Sequence, residues 1–365
     1  MILEEILKKL VAFQTVSLDH KENERCLRWI KKQSEKCKVF TKLIRVNSFP
    51  SLLITTKKTK TPILWLSAHI DVVPGSPAAF IPKRKGGRLF GRGTSDMKFA
   101  AACYIKLLKD LEKNLQKYNF GIMLTSDEEL GGEHGVRYLV DQGYRSRVVF
   151  IPDGGLDWKI EKGAKGVLSV EIISRGISAH GSQTWLGKNA ITLLMDFLTE
   201  IRTLFVKDPC RDESHWHATC NIGKIEGGKA ANQIPDFAKA LLNIRTISEP
   251  RKRALLKKIR HLQKRFSSIQ IKIINNTPSF RNNFKLSFAR TFLEIARKKY
   301  GIETGFTMSH GTSDARFFVQ KKIPAISTRP HGGGLHSENE WVDINDLGRF
   351  YSVLKDFVVK ISKLE

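Results

Sequence analysis

His69 and Asp71 stand two apart at the end of an apolar run, Ile63-Leu64-Trp65-Leu66. On a strand, residues two apart point to the same side. An imidazole and a carboxylate are thus delivered together at a strand's C-terminal end, where open α/β sheets place their ligand crevices. The chemistry such a pair suits is a metal-binding His whose second ring nitrogen is held by the Asp. Alone, the pair more often marks a satisfied core His beside a turn Asp.

Four further clusters change that reading. Asp96 lies in Gly91-Arg92-Gly93-Thr94-Ser95-Asp96-Met97-Lys98, a turn into a small-residue helix, where it would serve equally as an N-cap. Glu128 and Glu129 lie in Ser126-Asp127-Glu128-Glu129-Leu130-Gly131-Gly132, and acids in a row usually form a solvated loop or a first helical turn. Asp153 closes Val148-Val149-Phe150-Ile151-Pro152-Asp153 and has the composition of a turn. His336 ends a glycine-rich loop, His331-Gly332-Gly333-Gly334-Leu335-His336, where a surface His is the ordinary finding. Together they supply two imidazoles and several carboxylates. That is the nitrogen and oxygen ligand set of two divalent ions such as zinc, cobalt or manganese. Ions in two-metal sites lie about 3.5–4 Å apart, and a bridging carboxylate would offset their repulsion.

The elements that must position these residues alternate. Residues 1–35 read as helices, Val39-Phe40 and Ser51 to Ile54 as strands with a turn at Asn47-Ser48-Phe49-Pro50, and Ile63 to Leu66 as a buried strand. A small-residue helix runs from Phe99 to Leu108, and strands follow at Gly121–Leu124 and Val148–Ile151. This alternation predicts a largely parallel sheet. From Val167 the texture changes. An alternating strand at Leu168–Ile172, a helix from Ala190, strands at Thr219–Ile222 and Ala240–Ile244, a basic helix over 251–266 and a strand at Ile269–Ile274 give the order of a ferredoxin-like unit. Residues 167–274 are therefore read as a domain inserted into one made of 1–166 and 275–365, where the α/β pattern resumes with a helix at Ser287–Lys299.

The chain has 365 residues, which suggests two domains or one large domain with an insertion, and 41% of them are hydrophobic, enough to build real cores. No apolar run reads as a membrane span. The start has helical spacing and early acids instead of a basic stretch and apolar core, so no secretory signal is expected. Cys26, Cys37, Cys103, Cys210 and Cys220 are odd in number and scattered, which points to reduced thiols in a cytoplasm. The formal charge of +26 invites a nucleic-acid reading. The basic residues, however, are spread along the chain. Their densest run, Arg251 to Arg265, carries Leu255, Leu256, Ile259 and Leu262 at helical spacing, so it reads as an amphipathic helix with a solvated cationic face. No zinc-finger or RNA-binding signature is present, which argues against nucleic acid as the partner.

The whole set resembles the dinuclear-zinc peptidase and deacylase family that contains succinyl-diaminopimelate desuccinylase, acetylornithine deacetylase, aminoacylase, glutamate carboxypeptidase and the carnosine-type dipeptidases. The resemblance spans almost the whole chain, with five motifs in the family's order. It implies a fold of class α/β: a zinc-exopeptidase-like catalytic domain with a central mixed sheet, plus an inserted α+β ferredoxin-like lid and dimerisation domain. Carried over by position, His69, Asp96 and Asp153 resemble the ligands of one metal, and Asp96, Glu129 and His336 those of the other, with Asp96 as the bridge. Glu128 matches the general base and Asp71 the partner that orients His69. The peptide bond after Asp96 is cis in the family, so a cis Asp96–Met97 bond is expected. The activity implied is hydrolysis of an amide by a metal-bridging water whose proton Glu128 takes and returns to the leaving amine.

The resemblance also bears on substrate and assembly. His180, in Ser178-Ala179-His180-Gly181-Ser182, resembles a His that reaches from a second subunit to stabilise the oxyanion, which implies a homodimer; by composition the stretch is a turn. Asn232 and Arg245 resemble substrate-contacting positions, and an Arg suits a substrate carboxylate through its planar fork; a turn Asn and a surface strand Arg would look the same. Two features pull apart. Asp153 stands where the family's deacylases and carboxypeptidases usually carry Glu, as its dipeptidases and aminopeptidases do not. Gly311-Thr312-Ser313-Asp314-Ala315-Arg316-Phe317 resembles a desuccinylase segment, although a helix start capped by Ser313 or Asp314 would read alike. The expected substrate is a dipeptide or N-acyl amino acid, with a desuccinylase- or deacetylase-like biosynthetic deacylase as the alternative. His215-Trp216-His217 lacks a third ligand and is read as surface. The rivals from another class are a basic nucleic-acid-binding protein or a partner-binding protein on an inactive hydrolase scaffold.

Overall fold

The computed structural model describes residues 2–205, 216–282 and 287–364. In chain order the elements are α1 (Leu3–Val11), α2 (His20–Ser34), β1 (Phe40–Val46), β2 (Phe49–Thr55), β3 (Leu64–His69), β4 (Lys83–Lys85), β5 (Arg88–Phe90), α3 (Lys98–Asp110), β6 (Phe120–Thr125), α4 (Tyr138–Asp141) and β7 (Val148–Phe150). Then come β8 (Ile160–Ala164), β9 (Gly166–Arg175), α5 (Ala190–Arg202), β10 (Thr219–Gly227), β11 (Phe237–Thr246), α6 (Glu249–Arg265), β12 (Ile269–Thr277) and β13 (Phe280–Arg281). The last are α7 (Ser287–Tyr300), β14 (Phe306–Ser309), α8 (Ala315–Gln320), β15 (Ala325–Ile326), β16 (Gly332–Gly333), β17 (Trp341–Asp343) and α9 (Ile344–Ser362). They divide into two compact units, one of residues 1–162, 281–309 and 313–365, the other of 163–280 and 310–312.

The first unit is built on a six-stranded sheet in the order β1-β2-β6-β3-β7-β15. β6, β3, β7 and β15 run parallel, and β1 and β2 are antiparallel additions, so the sheet is mixed. The β1–β2 turn falls on Asn47 and Ser48, whose φ angles of 46° and 72° give the hairpin the sense of twist that two-residue turns favour. Every residue of β3 and β6 is buried, which accounts for their unbroken apolar runs. One core joins Leu64, Leu66 and Ala68 of β3 to Ile6, Leu7 and Leu10 of α1, the alanines of α3 and Phe350, Leu354 and Phe357 of α9. The small side chains of Ala100, Ala101 and Ala102 let α3 approach closely. A ring cluster of Phe150, Trp158, Phe292, Phe350 and Phe357 has centroid separations from 5.3 to 6.2 Å, within the range of favourable aromatic contacts. A small sheet, β16-β17-β5-β4, stands apart, and its β16–β17 connection carries His336 to Glu340.

The second unit has the order β9-α5-β10-β11-α6-β12 and an antiparallel sheet arranged β10-β11-β9-β12, the ferredoxin-like arrangement expected. Alternate residues Leu168, Val170 and Ile172 of β9 and Ala240, Leu242 and Ile244 of β11 form a core with Leu194, Phe197 and Ile201 of α5 and Ile259 of α6. Asn189 caps α5 through the N–H groups of Ile191 and Thr192, and Ser248 caps α6. Most of the cations of α6 point to solvent, as its amphipathic pattern requires. Among the described residues no helix is long and apolar enough to cross a membrane. Cys26, Cys37 and Cys103 are buried free thiols and Cys220 a half-buried one, while Cys210 lies outside the described residues.

Candidate metal centre

Three strands of the six-stranded sheet bring candidate metal ligands to its C-terminal end. His69 is the last residue of β3, the Asp127–Glu129 turn follows β6, and Asp153 follows β7. Parallel pairing of β3 with β6 and β7 makes these ends neighbours. Asp96 and His336 arrive from outside the sheet, on the loop before α3 and on the β16–β17 connection.

His69, Asp96 and Asp153 each offer a ligand atom to one group, and Asp96, Glu129 and His336 do so to a second; within each group these atoms lie within 4.8 Å of one another. His69 Nε2 is 3.3 Å from Asp96 Oδ1 and 3.8 Å from Asp153 Oδ1. His336 Nε2 is 3.3 Å from Asp96 Oδ2 and 3.4 Å from Glu129 Oε2. Ligands about 2.0–2.1 Å from a tetrahedral ion sit about 3.3–3.4 Å from one another, so these are separations suited to atoms around a shared cation. His69 Nε2 and Asp96 Oδ1 are buried and have no hydrogen-bond partner among the described residues. Buried polar atoms are rarely left so. Asp96 turns one oxygen to each group, as a bridge must. The donor set therefore fits a pair of divalent cations.

The surrounding contacts aim these atoms. His69 Nδ1 lies 2.9 Å from the Asp71 backbone carbonyl, which can only accept, so Nδ1 carries a proton and Nε2 is the ring nitrogen turned to Asp96 and Asp153. The Asp71 carboxylate is farther, 3.5 Å from Nδ1. β3 closes at His69, and the pair is set by the turn beyond the strand and not by the pleat. The fully buried Asp71 carboxylate accepts from the Ser17 hydroxyl at 2.9 Å and from the N–H groups of Glu129 and Glu128 at 3.2 and 3.3 Å. Asp71 thus ties the orientation of His69 to the turn that holds Glu128 and Glu129. The Asp96–Met97 bond is cis, as the resemblance implied. Met97, not Asp96, occupies the N-cap of α3, so Asp96 is free of a capping role.

Charge at the site follows from burial and crowding. Burial, with the Asp153 charge adding, pushes the Glu128 carboxyl well above the ordinary carboxylate range, the direction a proton acceptor working near neutrality needs. Burial also favours the neutral form of Asp96, but the facing His336 and His69 imidazoles outweigh it and hold Asp96 low. For His69 burial acts downward, and Asp153, Asp71 and Asp96 together raise it regardless. Contacts with Asp96 and Glu129 raise His336 to about 10.

Several residues that composition could not single out complete the surroundings. Asp127 is buried, its carboxylate accepting from the N–H groups of His134 and Gly135 at 2.7 and 3.0 Å, and burial pushes it up to about 6. Its place in an acidic run just past a strand was the only signal. Arg329 donates to the carbonyls of Asp153 and Gly155 and so fixes the Asp153 turn. Glu161, buried beside Asp153, is pushed up to about 8 by that burial. Asp314 and Arg316 are buried with 3.7 Å between them, and burial drives Asp314 up to about 7. Neither Ser313 nor Asp314 caps α8 through its side chain.

His180, Asn232 and Arg245 lie in the second unit. His180 Nδ1 pairs with Ser182 Oγ at 2.8 Å, and the Asn232 carbonyl accepts from the Gly181 N–H at 2.7 Å. Arg245, on β11, donates to Asn243 Oδ1 at 3.0 Å, and burial lowers its guanidinium. His215 lies outside the described residues; Trp216 and His217 are half-buried.

The Peptidase family M20/M25/M40 model matches residues 65–360. The succinyl-diaminopimelate desuccinylase of Rickettsia akari (strain Hartford) is 25% identical over 381 residues, covering 97% of this chain and 98% of that one. An M20 family metallo-carboxypeptidase from Sulfolobus solfataricus has a similar fold, with a TM-score of 0.80 at 21% identity over 98% of both chains. So does a dinuclear metal binding peptidase of Bacillus subtilis, with a TM-score of 0.69 at 18% identity over 99% of this chain and 97% of that one. The protein is a hydrolase of amide bonds that works with two divalent cations. With the match covering most of its length, the chain belongs to peptidase family M20/M25/M40.

Proposed function

We propose that this enzyme cleaves the amide bond of a dipeptide or N-acyl amino acid, with His69, Asp96 and Asp153 holding one cation, Asp96, Glu129 and His336 the other, and Glu128 as the general base. The observation that carries the reading is Asp96, whose two oxygens face different imidazoles at 3.3 Å each, with Glu128 joined through its N–H to the Asp71 that orients His69. When bound, the cations would polarise the scissile carbonyl and make a water acidic enough to attack near neutral pH. Glu128, outside both ligand groups and with its raised proton affinity, takes the proton of that water and returns it to the departing nitrogen. Asp71 keeps the His69 ring from turning. Zinc suits the two-imidazole, carboxylate-rich set best, and cobalt and manganese are the alternatives.

His180 is assigned the oxyanion, reached from the partner subunit of a homodimer assembled through the second unit. Asn232 and Arg245 are assigned substrate contacts, Arg245 pairing with a substrate carboxylate. The proposed setting is the cytoplasm, on the ground of scattered free thiols. A second reading, a deacylase that removes a succinyl or acetyl group, is favoured by the end-to-end similarity to a desuccinylase. Assaying dipeptides beside N-acetyl and N-succinyl amino acids, with zinc, cobalt and manganese in turn, separates the two. Turnover that includes dipeptides supports the first, and turnover confined to N-succinyl or N-acetyl amino acids supports the second. No metal-dependent hydrolysis of any of them would remove both.

A further inference from the structure

Glu340 is 1% exposed and lies four residues past His336, where the β16–β17 connection ends. Its Oε1 accepts from the N–H groups of Ser95 at 2.8 Å and Asp96 at 2.9 Å. Its Oε2 accepts from the Gly93 N–H at 3.0 Å and from Arg92 Nη1 at 3.2 Å. Its backbone carbonyl takes the Gly91 N–H at 2.9 Å. One residue thus gathers four of the six backbone N–H groups of the Gly91–Asp96 loop, which lies outside any helix or strand. Converging backbone N–H groups of this kind form an anion-binding concavity, and here the anion is supplied by the chain itself.

Resting on the metal reading above, we propose that Glu340 is the positioning residue for Asp96 and fixes the spacing between Asp96 and His336. The Asp96 N–H is held by Glu340 on one side of the residue while its carboxylate divides between two imidazoles on the other. Any shift of that N–H moves both ligand oxygens. Because Glu340 and His336 share one short connection, the same contact sets how far apart the shared ligand and the second imidazole stand. A residue needed only to tie down a loop would not have to be an anion next to a second anion. The carboxylate earns its place by accepting from four donors at once, and Arg92, which also donates to the Pro74 carbonyl at 3.2 Å, balances its charge. The neighbouring Glu338 does a different job, binding the Ser76 N–H and hydroxyl at 3.0 and 2.6 Å.

The test is Co2+ titration of the metal-free full-length protein, followed by calorimetry and by the visible spectrum of the bound ion. Wild type is compared with Glu340→Gln, which turns an amide group toward donors, and with Glu340→Asp, which keeps the charge but retracts it by one methylene. Both variants are expected to bind Co2+ about 10–100-fold more weakly, the usual effect of losing an outer partner of a ligand, with an altered spectrum at saturation. If Glu340→Gln does not fold, Glu340→Asp carries the test. Wild-type dissociation constants and spectrum in a folded variant, whatever its melting temperature, would overturn the proposal and leave the metal reading standing. A wild-type chain that takes up no pair of Co2+ ions would overturn both.

Discussion

Asp71→Asn is the substitution whose effect can be worked out most fully. The Asp71 carboxylate is fully buried and takes three donors, the Ser17 hydroxyl and the N–H groups of Glu128 and Glu129. An amide NH2 placed at Oδ1 would face the Glu128 N–H. Placed at Oδ2 it could be accepted by a rotated Ser17 hydroxyl but would face the Glu129 N–H. Either way at least one buried N–H loses its acceptor, which costs about 1–3 kcal/mol. An unfolding entropy of about 2.1 cal/mol/K per residue, over 365 residues, turns that loss into a melting temperature lower by about 1–4 °C. The lost acceptor lets the Glu128–Glu129 turn move and, where the Asp71 backbone follows, slackens the carbonyl that holds His69 Nδ1. Outer partners of this kind are worth about 10–100-fold in metal affinity or activity, or roughly 1.4–2.7 kcal/mol in kcat/KM. Differential scanning and steady-state kinetics on the same preparation check both parts. An Asn variant with wild-type melting and wild-type kcat/KM would refute the assignment of Asp71 as the link between His69 and the Glu128 turn.

Glu128→Gln should lower kcat by about 10²–10⁴-fold, the range for loss of a general base, while still taking up two cations; full activity in the metal-loaded variant would displace Glu128 from its role. Gly121→Ala should destabilise the first unit by about 1–3 kcal/mol, because the added Cβ would lie 2.3 Å from the buried Trp65 ring on the paired strand; an unchanged melting temperature would contradict that register. Glu24 is held down at about 2, chiefly by its hydrogen bond with Arg45 and despite partial burial. A carboxylate lowered by folding contributes its stability above the unfolded value of 4.5 and loses it as pH falls towards 2. Glu24→Gln should therefore flatten the fall in melting temperature across that window, and an equal slope in both proteins would count against the ion pair.

Much of the fold could be read from residue pattern, for identifiable reasons, and the residues that pattern offered as ligands fall into two close groups. Buried strands such as β3 and β6 are written as unbroken apolar runs, and α6 announces itself through Leu255, Leu256, Ile259 and Leu262 at helical spacing. What escaped was whatever depends on long-range approach. β16 and β17 have two and three residues, too short to show a period, although they carry the connection that brings His336 to Asp96. Asp96 read equally well as an N-cap until α3 was seen to begin one residue after Met97. Asp127 looked like part of a solvated acidic turn, and only the N–H groups of His134 and Gly135 reveal it as a buried acceptor. The edge hairpin β1–β2 adds two antiparallel pairings to a sheet whose other four strands run parallel, as alternation predicted. Glu340 is another acid in an exposed-looking loop until its four donors, from residues 92 to 96, come into view. Gly334 is a partial exception: its φ of +68° and a Cβ position 2.4 Å from the Asn339 carbonyl explain why that loop is glycine-rich where it turns back.

The central claim is that one aspartate divides between two cations. Anomalous diffraction from crystals of the protein grown with zinc addresses it directly, with data collected on both sides of the zinc absorption edge. Two peaks per chain should appear about 3.5–4 Å apart, one between His69 and Asp153, the other between Glu129 and His336, with Asp96 touching both. A single peak, or a pair in which Asp96 touches only one ion, would contradict the account.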